Sequence, residues 1–201
     1  MKKLVLATHN EGKVRELRQL LSGSGFEVVS LASYPEVPEV VEDGDTFQAN
    51  AIKKAMETAA AVGEIALADD SGLEVDYLEG APGVHSARFA GQEHDDSANN
   101  QKLLRLLEGV PREKRTARFR CVVAIATPDG KVATVDGSCE GIIQTRPSGS
   151  GGFGYDPLFF VPEYGKTFAE LDAETKNAIS HRGRALKQVG LILKNITGAA
   201  G

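Results

Sequence analysis

The middle of the chain constrains its fold most. From Thr116, the stretch "TARFRCVVAIATPDGKVATVDGSCEGIIQT" carries two β-branched runs flanking Pro128-Asp129-Gly130, a hairpin signature. Before it, strand-like and helix-like segments alternate. "KLVLAT" is a short β-rich run, and "EGKVRELRQLLSG" places Val14, Leu17, Leu20 and Leu21 at helical spacing before a glycine stop. "FEVVSL" is a second strand, followed by the Pro-rich acidic loop "SYPEVPEVVEDGD". The alanine-rich "TFQANAIKKAMETAAAVG" then favours helix. "IALADD" is a third strand, which Ser71-Gly72 is expected to end in a turn. "DDSANNQKLLRLLEGV" predicts a helix with Asp95 or Asp96 near its start and Gly109 at its end. Beyond the hairpin, "PLFFV" is strand-like. "ETKNAISHRGRALKQVGLILKNI" predicts a closing helix with Ala185, Val189, Ile192 and Ile196 along one apolar side. This order predicts a mixed α/β fold with an antiparallel portion, and 201 residues without a clear linker suit one domain, 1–201.

Bulk properties exclude several classes. A net charge of −5 argues against binding a nucleic-acid polymer, which needs a basic surface. No span reaches the roughly 20 apolar residues of a membrane helix, and "MKKLVLATHNEGK" has too few for a secretory leader. Cys121 and Cys139 lie in strand-like stretches without metal-type spacing and read as packed, reduced thiols of a cytoplasmic protein.

Glycine-rich segments need a context test. "GSGGFG", residues 149–154, matches the dinucleotide spacing, but "YDPLFF" follows it where a helix should open. "GKT" at 165–167 has Phe160 where the Walker glycine belongs. The turn after the first strand suits phosphate better. Thr8, Asn10, Gly12 and Lys13 sit where N–H groups at a helix N-terminus meet an anion, although an ordinary helix start has the same composition. Asp69 and Asp70 close the third apolar run side by side. Neighbours on an extended strand face opposite ways, so only one of them is expected to meet a given ion. Two solvated turn aspartates are the plainer explanation of an isolated "DDSG".

Four motifs together, "ATHNEGK", "ADDSG", "GGFGYDP" and "ISHRG", resemble in order and separation the inosine triphosphate pyrophosphatase family, also called XTP/dITP diphosphatases. The resemblance spans almost the whole chain. It implies an elongated mixed sheet with flanking helices, forming two lobes around a central cleft. It implies hydrolysis of the nonstandard purine triphosphates ITP, dITP and XTP to monophosphate and pyrophosphate, using Mg²⁺, generally by homodimers. Carried over by residue, Thr8, His9 (through its backbone), Asn10, Glu11, Gly12 and Lys13 line the triphosphate. Glu42 and Asp70 serve the metal, and Asp70 also accepts the proton, with Ser71 touching substrate beside it. Phe153, Gly154, Tyr155 and Asp156 form the nucleoside side, and Lys176, His181 and Arg182 complete the nucleotide pocket. Asp69 and Lys54 are secondary candidates. Arg88 reads as a surface arginine, and Ser180 as a further donor to the purine edge. A pyrophosphatase for modified pyrimidine triphosphates and a non-catalytic nucleotide sensor are the competing expectations.

Overall fold

The computed structural model describes residues 2–91 and 94–197. A seven-stranded sheet has the order β2-β1-β3-β4-β5-β6-β7, with helices between its strands. The strands are β1 (Lys3–Leu6), β2 (Glu27–Ser30), β3 (Ile65–Val75), β4 (Thr116–Ala126), β5 (Val132–Ile143), β6 (Phe159–Val161) and β7 (Lys166–Thr167). The helices are α1 (Glu11–Leu20), α2 (Phe47–Val62), α3 (Asp96–Leu106), α4 (Ala173–Ile179), α5 (His181–Leu186) and α6 (Val189–Thr197). β1 runs parallel to β2 and β3, with Leu4 opposite Val28 and Ile65, whereas β6 is antiparallel to both β5 and β7. The sheet is therefore mixed, as expected. The hairpin signature at 128–130 is also realised: Gly130 N–H closes onto Thr127 O at 2.9 Å, and Gly130 adopts φ +90°.

Contacts divide the chain into two compact units. Among the described residues the first comprises 2–70, 121–137 and 182–197, and the second 71–91, 94–120 and 138–181. The division falls inside β3, β4, β5 and α5. The core of the first unit gathers Leu4, Leu6, Val14, Leu17, Leu67, Val123, Ile125 and Val189, so the apolar stripes expected on α1 and along the C-terminal segment both face inward. The core of the second gathers Leu73, Val75, Leu103, Phe119, Phe159 and Phe168.

The structure corrects two expectations. β3 does not turn at Ser71-Gly72 but continues to Val75, because Leu73 and Val75 extend the inward alternation and are fully buried. The expected single closing helix is three helices. Ser180 adopts an extended conformation (φ −65°, ψ 158°) and ends α4, its N–H bonding Lys176 O at 2.8 Å, and α5 begins at the next residue. Serine is a weak interior helix former, whereas at a boundary its preferences are met. The two-residue β7 and the short 3-10 helix Gly83–Arg88 carry no periodic signal and were not anticipated.

Candidate functional site

In the first unit, β1 hands the chain to α1 through a turn that its own side chains fix. Thr8 Oγ1 accepts from Asn10 N–H at 3.2 Å, and Asn10 Oδ1 caps the helix by accepting from Lys13 N–H at 3.1 Å. His9 and Glu11 are exposed, and Gly12 is buried. The capped turn brings Lys13 Nζ to 3.3 Å from Asp69 Oδ2.

Asp69 and Asp70 lie on one continuous strand and meet opposite surroundings. Asp69 Oδ2 accepts from Arg182 Nη2 at 3.0 Å and Nε at 3.2 Å, while the far side of that guanidinium pairs with Glu16. Complete burial alone would raise the Asp69 carboxyl, but Lys13, Arg182 and Lys54 hold it well below the ordinary carboxylate range. Asp70 Oδ2 accepts from Asn50 Nδ2 at 3.0 Å. Burial, with Glu42 adding repulsion, pushes the Asp70 carboxyl up, against the pull of Lys54 and Lys13. Lys54 binds the backbone O of Asp69 at 2.7 Å and pairs with Glu42. Burial opposes its charge, yet Glu42, Asp70 and Asp69 outweigh that and raise its pKa.

Asn50 and Glu16 are the participants in this unit that sequence reasoning missed. For Asn50 a signal exists: on α2 the buried positions are Phe47, Asn50, Ala51, Lys54, Ala55, Thr58 and Ala59, one helical stripe carrying three polar residues among the apolar ones. Asn50 is fixed by Gly44, whose N–H donates to its Oδ1 at 2.8 Å, and a Cβ on Gly44 would lie 2.7 Å from that oxygen.

The second unit assembles the other motif residues around Asp156. Its Oδ2 accepts from Phe153 N–H at 3.0 Å and from Lys176 Nζ at 2.7 Å, and both partners of the ion pair are buried. Lys176 Nζ stands 5.0 Å from the Phe153 ring centroid. Gly152 has φ +70°, and a Cβ there would lie 2.0 Å from Asp156 Oδ2, so the loop needs glycine. The His181 ring stacks on Phe119 at 4.8 Å, and Tyr155 OH donates to Ser86 O at 2.7 Å. Ser71, the first residue of this unit, is half-buried on β3. Arg88 Nη2 approaches His85 Nδ1 at 3.4 Å within its 3-10 helix.

Each unit thus gathers its share of the candidate residues: Lys13, Glu42, Asp69, Asp70 and Arg182 in the first, Phe153, Asp156, Lys176 and His181 in the second. An open mixed sheet bearing clustered carboxylates and buried cations defines an α/β protein with a polar, charge-matched cluster in each unit. The chain belongs to the Ham1 family, whose model matches residues 4–190. It is 64% identical over 194 residues to a dITP/XTP pyrophosphatase of Desulforamulus reducens, covering 96% of each chain. It is 57% identical to the protein of that name from Geobacter sulfurreducens, covering 92% of this chain and 94% of the relative. Among solved structures it is similar to a HAM1 protein from Coxiella burnetii, with a TM-score of 0.86 at 42% identity, covering 97% of this chain and 100% of the other. It also resembles a nucleoside-triphosphatase / dITP/XTP pyrophosphatase from Mycobacterium abscessus, with a TM-score of 0.75 at 45% identity, covering 93% and 98%.

Proposed function

We propose that this chain hydrolyses nonstandard purine nucleoside triphosphates, ITP, dITP and XTP, to the monophosphate and pyrophosphate, clearing them from the nucleotide pool. The curated relatives named above support the reaction. The observation that carries the assignment of roles is the contrast between adjacent carboxylates on β3, Asp69 enclosed by cations and Asp70 placed with Glu42 and Asn50.

We assign the phosphates to Thr8, His9, Asn10, Glu11, Gly12 and Lys13, whose capped helix start offers backbone N–H groups and an ammonium. The nucleoside is assigned to Phe153, Gly154, Tyr155 and Asp156 with Lys176, His181 and Arg182, and Ser71 to substrate contact. Phe153 supplies a stacking face, worth about 1–3 kcal/mol per base and indifferent to which base it is. In the reaction a water oxygen bonds the α-phosphorus, the bond from that phosphorus to the α,β-bridging oxygen breaks, and pyrophosphate leaves. Asp70 orients the water and accepts its proton.

Glu42 and Asp70 would hold Mg²⁺. Two hard carboxylate ligands suit an ion that keeps several waters and takes its remaining contacts from phosphate oxygens. Glu42 lies close enough to Asp70 to repel its carboxylate, so the pair is a donor set whose repulsion a cation would relieve. When bound, the ion neutralises phosphate charge. Lys54, paired with Glu42, holds a positive charge beside those carboxylates.

We further propose a single pyrophosphatase domain, 1–201, because the division between the two units falls within three strands and a helix and not at linkers. A homodimer is proposed on the family resemblance, and a cytoplasmic setting on the buried thiols of Cys121 and Cys139. Among the described residues no helix is long and apolar enough to cross a membrane.

A panel of purine and modified pyrimidine triphosphates with Mg²⁺, read for pyrophosphate and orthophosphate, tests the reaction. Equal amounts of monophosphate and pyrophosphate are expected from ITP and XTP. Stepwise orthophosphate release, or a preference for modified pyrimidines, would overturn it. Binding of ITP without turnover would mark a sensor.

A further inference from the structure

Helix α3 holds one glycine with two of its side chains. Gly154 N–H donates to Asp96 Oδ2 at 2.7 Å, and Asn100 Nδ2 donates to Gly154 O at 2.9 Å. Positions 96 and 100 share a face one helical turn apart, and Asn100 Nδ2 also donates to Asp96 O at 2.9 Å. Both backbone polar groups of Gly154 are therefore gripped by the same helix. Gly154 turns the chain at φ +61°, and Phe153 immediately before it is held from the other side by the bond of its N–H to Asp156. The backbone on either flank of the Phe153 ring is thus pinned.

Two details separate this grip from ordinary helix capping. Asp95, not Asp96, caps α3, with Oδ1 accepting from Ala98 N–H at 2.9 Å. Asn100 Oδ1 is buried and has no hydrogen-bond partner among the described residues. Its two amide hydrogens go to two carbonyls, so reversing the amide would aim its oxygen at them, and the unpaired acceptor persists. Alanine would favour the helix and leave no such acceptor. What the asparagine provides is its hold on Gly154.

From this geometry we propose that Asp96 and Asn100 are positioning residues for the purine: by clamping Gly154 they set the plane of the Phe153 ring without touching the nucleotide. The proposal rests on the assignment of Phe153 as the stacking platform. A platform free to reorient presents its stacking face for only part of the time. Apparent affinity then falls by that fraction while the chemical step, set by the phosphate-end residues, is unchanged.

The test is a double-mutant cycle on the full chain with ITP and Mg²⁺, reading KM, kcat and Tm. Asp96→Ala and Asn100→Ala are each expected to raise KM about tenfold, with kcat within about twofold. In a Phe153→Ala background, adding Asp96→Ala should change KM by less than about twofold, because the ring it orients is gone. Asp96→Asn, which keeps an acceptor oxygen, should restore most of the affinity. Asp95→Ala is the structural control: it removes the helix cap and should lower Tm while leaving KM unchanged. If Phe153→Ala raises KM but Asp96→Ala and Asn100→Ala do not, or if Asp96→Ala is equally harmful without the ring, the clamp is refuted and the platform stands. If Phe153→Ala leaves KM for ITP unchanged, the platform assignment fails and the clamp's role in purine binding fails with it.

Discussion

Arg182 Nη2 lies 3.0 Å from Asp69 Oδ2, joining residues 113 positions apart in a pair that is almost completely buried. The same guanidinium holds Glu16, so one cation serves two carboxylates. Replacing it by Met fills much of the volume but withdraws a buried cation from both anions, and breaking a buried pair by removing one partner costs about 3–5 kcal/mol. Arg182→Met should lower the unfolding free energy by that order in urea titration. A change below about 1 kcal/mol would show that Lys13 and Lys54 suffice for Asp69.

The two neighbouring aspartates should separate stability from turnover. Asp70→Asn keeps side-chain volume and the Asn50 contact through its remaining oxygen, but removes the carboxylate proposed as metal ligand and base. It should reduce kcat by about 10² to 10⁴-fold with little change in Tm. Asp69→Asn withdraws the anion from Lys13 and Arg182 and should lower Tm clearly while retaining more activity. Should Asp69→Asn prove the more damaging to kcat with Mg²⁺ saturating, the roles along β3 are exchanged.

This separation marks where the sequence was legible. The apolar run Ile65–Ala68 announces a buried strand, and the motif singles out the carboxylates after it. The end of β3 is not legible, because Asp-Asp-Ser-Gly is also turn composition, and only packing of Leu73 and Val75 in the second core decides between them. The closing segment shows the converse. Its apolar stripe was legible and points inward, but stripes persist across a break such as Ser180, so periodicity does not reveal the division into α4, α5 and α6. Arg182 was legible as part of a motif, yet its partners Asp69 and Glu16 lie 113 and 166 residues away, beyond any spacing rule. Asn50 was within reach, as a polar residue on a buried alanine stripe.

Cys121 provides a chemical reading of the first core. Burial, with the Asp69 anion nearby, pushes its thiol up to about 12, and Cys139 is 3% exposed. Iodoacetamide at about pH 8 should leave both unmodified in the native protein and label both in concentrated guanidinium chloride, read by mass spectrometry. The raised value also has a sign for stability: the contribution of the neutral thiol is full below its unfolded pKa and is lost as pH rises through about 12. Rapid native labelling of Cys121 would contradict the packing described for β4.

Gly152→Ala should act through Asp156. A Cβ would lie 2.0 Å from Asp156 Oδ2, the oxygen that holds both Phe153 N–H and Lys176 Nζ, and φ +70° adds strain. One methyl group therefore displaces two residues assigned above to the nucleoside, and KM for ITP should rise by about tenfold or more with a smaller change in kcat. An unchanged KM would mean that the loop relaxes without moving Phe153.

Selectivity is the sharpest test of the nucleoside assignment. A 6-oxo purine presents an acceptor where adenine presents an amino donor, so a site built from donors leaves them unpaired when adenine enters. Such sites reject the wrong analogue by roughly 10⁴ or more in kcat/KM. Guanine shares the 6-oxo edge, so its exclusion needs a conflict at the 2-amino group instead. ITP and XTP should accordingly be preferred over ATP and GTP. Of the proposed donors Lys176 is the most firmly placed, since its Nζ is fixed by Asp156 and stands over the Phe153 ring. Lys176→Met keeps the stem and removes the ammonium. It also leaves Asp156 without its buried cation, so part of any loss will be structural and common to all substrates. The ratio of kcat/KM for ITP to that for ATP cancels the common part. Losing a charged hydrogen bond to the 6-oxo group should shrink that ratio about 10- to 100-fold, whereas Phe153→Ala should lower both substrates in proportion and leave it unchanged. If Lys176→Met leaves the ratio at its wild-type value, discrimination resides with Ser180, His181 or Arg182, and the same measurement on those variants assigns it.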